Sequence, residues 1–507
     1  MSAVFKLGQD NLTWRVLTEL ASRPSPAVTV TLDSWTKIEK FRQTIDQAVA
    51  SGKVIYGVNT GFGFLSDVKI ETNKLQELQL NLIRSHACGV GELSPAEHVR
   101  ALLILRAHTF LLGYSALRKS SIEVVLDFLK HDILPIVPQI GSVGASGDLA
   151  PLSHLALGLI GEGEVFYKGQ IMAADEAINI AGIKRIIPDA KEGLSLINGT
   201  QYMTVVGSFA LRLADNVLNA ADIMACLSLD AIRGTDNAFD DRIQSVRQQP
   251  GQKVVAANLR RYLYEDQIMA SHLDCGKVQD PYSFRCVPQV HGASRDVFDF
   301  VEARINGELN SVTDNPLVFE DGSVLSGGNF HGQPIAMALD FLAIALAEIG
   351  SISERRIEKI TNPAMSGLPA FVVKESGLNS GFMIPHVVAA SLVSENKILC
   401  HPASVDSIPT SADKEDHVSM GPIAARKALK VAQHVCDILA IEGLTACQGI
   451  DLLAPLKPSK PLRAVHQAIR ALSPSMSVDR SLYKDIQRVS QFIASGKSKD
   501  CLDAVGA

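Results

Sequence analysis

Apolar residues recur at three- and four-residue steps over long stretches of this chain, a spacing that predicts helices with buried faces. The pattern runs from His98 to Leu117, with Arg100 and Arg106 set among the apolar positions. It returns from Thr200 to Ile232, from Pro334 to Ile360 and from Pro422 to Gln448. Helices of that length, apolar on more than one face, belong inside a bundle. Alternation of period two is scarce: it predicts a strand over Val28–Leu32 and a hairpin within Glu164–Gln170. The expected fold class is therefore mainly α, a long-helix bundle with a smaller mixed, glycine-rich N-terminal region. A soft boundary near Asn198 separates residues 1–198 from 199–507, with no low-complexity linker and no repeat of fixed period.

Three glycine-rich loops interrupt the helical background: Tyr56–Gly63, Gly141–Asp148 and Ser326–Gly332. Each glycine inside a helix costs about 1 kcal/mol, so these are not helix interiors but places where the backbone itself is used. The middle loop invites a phosphate-binding reading, which fails on detail. It has no Gly-Lys-Ser/Thr ending, and its spacing is not G-x-G-x-x-G.

Composition narrows the classes. A chain of 507 residues with 47% hydrophobic and 20% charged residues is an ordinary globular balance. The net charge of -6 leaves no basic footprint for nucleic acid. The richest apolar stretch, Ile335–Ile349, is broken by Asp340 and Glu348 and reads as a core helix rather than a membrane span. The start, Met1 to Gly8, lacks the apolar core of a signal peptide. Eight cysteines (Cys88, Cys226, Cys275, Cys286, Cys400, Cys436, Cys447, Cys501) form no C-x-x-C pair, so neither a zinc site nor a disulfide framework is expected. A reduced, cytoplasmic protein with no metal is the economical expectation.

The middle loop has a chemical reading. If the Gly147 amide nitrogen attacks the Ala145 carbonyl carbon, a five-membered ring closes and water leaves. Loss of the Ser146 hydroxyl then leaves an exocyclic alkene conjugated with the ring, an electrophile no standard side chain provides. Glycine suits the attacking position because it has no Cβ to block the approach. The tripeptide alone is weak, since a surface turn explains it equally well. The whole run Gly141–His154 resembles the signature of the aromatic amino-acid ammonia-lyases, whose prosthetic group is methylidene-imidazolone. The resemblance extends from about Tyr56 to Gln448, through Leu196–Gln201, Asp280–Arg285, Thr313–Pro316, Gly327–Phe330 and Glu415–Met420. It implies a fumarase/aspartase-like fold and a homotetramer with shared active sites. It also implies a methylidene-imidazolone formed autocatalytically from Ala145, Ser146 and Gly147, with no external cofactor.

The same resemblance assigns roles. An α-amino group leaves poorly and a β-hydrogen is weakly acidic, so the reaction needs the electrophile, a base and a carboxylate anchor. Tyr56 resembles the family's active-site tyrosine and is the expected base, although a free phenol titrates near pH 10 and needs help from nearby dipoles or charges. Arg285 is the expected carboxylate anchor, because its planar fork matches that geometry. Tyr282 is expected to position reacting groups, and Gln279 is counted with the substrate-binding residues. Asn198 is expected near the electrophile and Phe330 beside the ring-forming loop; a cap and core packing are their bland alternatives. Ser85 and His86 resemble the pair of histidine-specific members, where phenylalanine-specific relatives carry Phe-Leu. An imidazole needs polar partners and a phenyl ring an apolar wall, so L-histidine is the implied substrate, with Glu415 accepting its N–H. Lys414 and Gln333 depart from the family pattern. The implied reaction is deamination of L-histidine to trans-urocanate and ammonia. A 2,3-aminomutase, a lyase for another aromatic amino acid and a catalytically silent scaffold are the alternatives.

Overall fold

The computed structural model describes residues 4–273 and 276–506, so Cys275 and the first three residues lie outside the described residues. The four long apolar patterns form the helices Ala96–Phe110, Gln201–Ala231, Gln333–Thr361 and Gly421–Leu452. The first stops at Phe110, short of Leu117, because Gly113 takes a φ of 97° that no right-handed helix contains. The hairpin forms as expected, with Glu164–Tyr167 antiparallel to Gln170–Ala173. The strand over Val28–Leu32 is corrected: only Val28–Thr29 is extended, paired with Phe5–Lys6. Leu32 instead opens the helix Leu32–Ala50, because the Thr31 hydroxyl accepts the Ser34 amide at 3.2 Å and so caps it. Among the described residues the strands make only two- and three-stranded sheets, so the fold is mainly α.

The chain divides into two compact units. The first comprises Met1–Phe209, Glu302–Leu339 and Pro402–Arg426, and the second Ala210–Val301, Asp340–His401 and Lys427–Ala507. All three glycine-rich loops belong to the first. There Phe41, Ile45, Ile55, Val58 and Leu75 form part of one buried cluster. Ile55 and Val58 straddle Tyr56, so burying two apolar neighbours holds the loop that carries the tyrosine.

The second unit has an apolar cluster of Ile357, Ala389, Ile438 and Ile441 beside a buried ion pair. Arg356 and Glu442 are both fully buried; the guanidinium grips the carboxylate through Nε and, at 2.9 Å, through Nη2. The hydroxyls of Ser228 and Ser353 donate to the same carboxylate, which saturates its acceptors. The helix Gln333–Thr361 is long and apolar enough to cross a membrane, yet 61% of its most apolar window is buried and Asp340 within it pairs with Lys427 at 3.0 Å.

A carboxylate removed from such a pair leaves the arginine charged and unpaired in the core. Glu442→Ala is expected to cost about 3–5 kcal/mol, read as a lower urea midpoint with unchanged slope. A midpoint equal to that of the wild type would show the pair to be dispensable.

Candidate active site

The loop around Tyr56 is rigid by construction. The Asn59 amide accepts from the Ile55 backbone at 2.8 Å and donates to the Lys53 carbonyl at 2.9 Å, tying the turn to itself. The Tyr56 hydroxyl is left to accept the Gly63 amide at 3.5 Å. Burial holds the phenol above its ordinary value, the Gly63 amide opposes that shift, and the Glu415 carboxylate adds to it. The help a base requires therefore comes from one backbone dipole, against two unfavourable influences.

The ring-forming loop is gripped at both ends. Asp148 donates its backbone N–H to the Gly199 carbonyl at 2.7 Å, and the helix Leu149–Leu159 begins directly after it. Upstream, the Ser142 hydroxyl donates to the Gly147 carbonyl and accepts the Gly144 amide, both at 3.0 Å. Met420 donates to the Val143 carbonyl at 2.8 Å. Between these ties Ser146 and Gly147 take φ of 50° and 79°, a left-handed bend that folds the tripeptide back on itself. A Cβ at Gly147 would sit 2.1 Å from the Gly199 carbonyl oxygen, so only glycine fits there. The tripeptide, its bend and its missing Cβ fit the methylidene-imidazolone that the sequence implies. By contrast a Cβ at Gly327 or Gly328 would meet nothing within 4 Å, so the third loop is not built on a close backbone approach.

The segment facing that bend is itself held by buried charge. Arg106 donates to the Asn198 carbonyl at 3.1 Å, to Gln201 Oε1 at 2.7 Å and to the Ser195 carbonyl. Lys191, fully buried, donates to Asp314 at 2.8 Å, and Asp314 in turn accepts the Asn198 side-chain amide at 3.2 Å. Asn198 is the C-cap of the helix Glu192–Ile197 and also lines the cavity described below. Asp148 is a group the sequence reading missed. Its Oδ2 accepts the Met203 amide at 3.0 Å, its Oδ1 has no partner, and burial pushes the carboxyl up to about 8.

Ser85 and His86 close the helix Leu75–His86. His86 Nδ1 lies 2.9 Å from the Leu82 carbonyl and 3.0 Å from the Ser85 hydroxyl; the carbonyl can only accept, so the tautomer that satisfies it carries its proton on Nδ1 and leaves Nε2 a lone pair. Burial holds this imidazole below its ordinary value, with the Leu82 carbonyl and Glu415 opposing. Glu415 accepts the Ser146 hydroxyl at 3.4 Å through Oε1 and the Thr410 hydroxyl at 3.1 Å through Oε2.

One cavity of about 980 Å³ in the first unit is lined by Tyr56, Ser85, His86, Ser146, Asn198, Phe330 and Glu415. Residues far apart in the chain thus meet in one cavity, and Lys414 joins them. Gln279, Tyr282 and Arg285 are not among its lining residues and belong to the second unit. There the Arg285 guanidinium lies 4.6 Å over the Tyr282 ring, its Nε is buried without a partner, and Tyr282 is exposed. Gln333 also lies outside the lining, donating to the Ser404 carbonyl at 3.2 Å.

Comparison with known proteins follows the same lines. The histidine ammonia-lyase of Myxococcus xanthus is 49% identical over 489 residues, covering 96% of each chain. The crystal structure of histidine ammonia-lyase from Trypanosoma cruzi superposes with a TM-score of 0.91 at 43% identity, over 99% of this chain and 95% of that one. The tyrosine aminomutase of Streptomyces globisporus superposes at 0.93 with 36% identity, over 99% of both chains. The family model for aromatic amino acid lyases matches residues 12–471. With that span and those identities, the chain belongs to the aromatic amino acid lyase family.

Proposed function

We propose that this chain converts L-histidine to trans-urocanate and ammonia, opening histidine degradation, with a methylidene-imidazolone that Ala145, Ser146 and Gly147 form from their own backbone. The observation that carries the substrate is that Ser85, His86 and Glu415, polar partners for an imidazole, line the same cavity as Ser146; the His86 tautomer that satisfies the Leu82 carbonyl leaves Nε2 able to accept a ring N–H. The similarity to histidine ammonia-lyases at close to half identity over nearly the whole chain supports the same reading. The methylidene-imidazolone supplies the electrophile that draws electrons from the amine and improves its departure.

The chain's own residues do the rest. Glu415 Oε1 is occupied by the Ser146 hydroxyl before that hydroxyl is eliminated. Elimination removes the donor and leaves the oxygen free to accept a substrate N–H. Tyr56 removes the β-proton as its phenolate, which the Gly63 amide stabilises. Asn198 and Phe330 shape the wall beside the ring-forming loop. Arg285 anchors the substrate carboxylate, with Gln279 and Tyr282 beside it in sequence. Since none of those three lines the cavity of its own chain, we assign the working form to a homotetramer whose active sites draw on more than one subunit. The exposed apolar side chains of Ile384, Val387 and Ile398 on the helix Met383–Leu399 support an assembled form, which we place in the cytoplasm. The likeness to tyrosine aminomutase favours a second reading, in which ammonia returns at the β-carbon. Chromatography of the histidine reaction separates β-histidine from urocanate.

Three outcomes test the proposal. Incubation with histidine is expected to give a conjugated product absorbing in the near ultraviolet. Ser146→Ala is expected to fall to the uncatalysed background with its fold intact. The wild-type peptide spanning residues 141–154 should be lighter by two waters, and an unmodified peptide in active enzyme would refute the self-made electrophile.

In Ser85→Phe/His86→Leu an apolar wall replaces the partners of the imidazole. The ratio of histidine to phenylalanine kcat/KM should fall roughly tenfold or more per lost polar contact. Loss of two waters from residues 141–154 serves as the control, because the ring-forming loop is untouched. A normally matured variant with the wild-type ratio would remove both residues from specificity.

The pH profile tests Tyr56 and His86 together. His86 must be neutral and lies below its ordinary 6.5, so the acid limb of kcat/KM belongs below that pH. Tyr56 must be deprotonated and lies above its ordinary 10.0, so the rate should keep rising with pH through the alkaline range. Tyr56→Phe should lose that rise, and an alkaline limb that survives the substitution would exclude Tyr56 as the base.

A further inference from the structure

Lys414 is the one permanently cationic residue type among those lining the cavity, which otherwise holds the carboxyl-bearing Asp67 and Glu415. His86 adds no charge above neutral pH, since burial holds it below its ordinary value. Among the described residues Lys414 makes no ion pair, whereas both oxygens of the adjoining Glu415 are taken by hydroxyls. The backbone that carries it is tightly defined. Thr410 and Glu415 exchange backbone hydrogen bonds at 3.0 and 3.3 Å, and the Lys414 amide donates to the Ser411 carbonyl at 3.2 Å. Within this turn Ser411, Ala412 and Asp413 take φ of 53°, 52° and 63°, a left-handed run that L-residues rarely adopt. The turn also closes against the Tyr56 loop: a Cβ at Gly63 would sit 2.3 Å from Ser411 Oγ.

We infer that Lys414 is an anion-holding group of the cavity, which retains the carboxylate-bearing product over the zwitterionic substrate. The inference rests on the histidine reading above. Near pH 8.5 histidine carries one ammonium and one carboxylate and has no net charge, whereas urocanate has lost the amine and is a net anion. A fixed cation attracts a monopole more strongly and over a longer range than a dipole. Asp67 and Glu415 repel that monopole, so Lys414 offsets them; without it this chain's wall holds two acidic residues and no permanently cationic one, and the anion is left to the Arg285 assigned above. Lys414 thereby sets how strongly the enzyme is inhibited by its own product.

Calorimetric titration of the full-length enzyme at pH 8.5, with trans-urocanate and with imidazole as separate probes, tests this. In Lys414→Gln the urocanate dissociation constant should rise roughly three- to tenfold, while imidazole, uncharged at that pH, should shift less than twofold. Lys414→Glu should raise the urocanate value further and Lys414→Arg should restore it. The wild-type preference should shrink toward 1 M salt, where the screening length is about 3 Å. Parallel weakening of both probes would show that Lys414 only shapes the wall, and an unchanged urocanate constant in Lys414→Gln would show that it holds no anion; either overturns the inference alone. Failure of urocanate to bind the wild type would overturn this inference and the histidine reading together.

Discussion

The close approach between Gly147 and Gly199 is the constraint on which the rest of the cavity depends. The two backbones pair as a parallel bridge, and no side chain fits between them. A tripeptide meant to close a ring on itself must be bent before any bond forms, and a free chain pays the entropy of that bend. Here the bend is made by the surrounding structure: by the Gly199 carbonyl on one side, the Ser142 hydroxyl on the other and a helix starting at Asp148. The geometry is a property of folding rather than of a mobile loop, so the fold itself bends the tripeptide proposed to form the ring.

Holding Gly199 in place passes the constraint inward. Arg106, Lys191 and Asp314 are buried, and burial of charge is costly unless every partner is present. Most of the partners are present, and Arg106 Nε alone of this guanidinium's nitrogens is buried without one. Lys191 is matched by Asp314, and Arg106 by two backbone carbonyls and a side-chain amide oxygen, all beside the segment that contains Asn198. A hydrophobic filling of the same space would fix no register; these directional bonds fix the position of Asn198 and therefore of the backbone that meets Gly147. The cost shows in Arg106 itself, which burial lowers to about 10.

The fold and most of the cavity were legible in the sequence because both rest on local signals. Helical periodicity gave the long helices, and the motifs gave Tyr56, Ser146, His86, Asn198, Phe330 and Glu415, which meet in one cavity. What was not legible depends on packing. Val28–Leu32 alternates like a strand, yet the Thr31 cap turns Leu32 into helix, a contest that composition does not decide. Asp148 reads as an ordinary residue after the tripeptide, and only its full burial shows a carboxyl pushed up to about 8. Arg106 did leave a signal, a charge among apolar positions in a helix buried from His98 to Phe110, but not the identity of its partners. Arg285 and Tyr282 came from their motif, which says nothing about which cavity wall they reach.

One physical cause runs through the ionisable groups around the ring-forming loop. Burial is the largest influence on Tyr56, His86 and Asp148, and in each it favours the neutral form: the phenol and the carboxyl are raised, the imidazole lowered. A wall that neutralises its own groups is a poor solvent for ions, and in such a medium a fixed charge acts at greater strength than in water. For the proposed elimination this keeps His86 neutral and able to accept a hydrogen bond, while it works against Tyr56, whose phenolate has to form before it can take the β-proton. It also bears on the substrate choice proposed for His86 and Glu415. In a poorly solvating wall the Nε2 lone pair of His86 and the freed oxygen of Glu415 are worth more to a ring N–H than the same atoms would be at a wet surface, and an unmatched polar group costs correspondingly more.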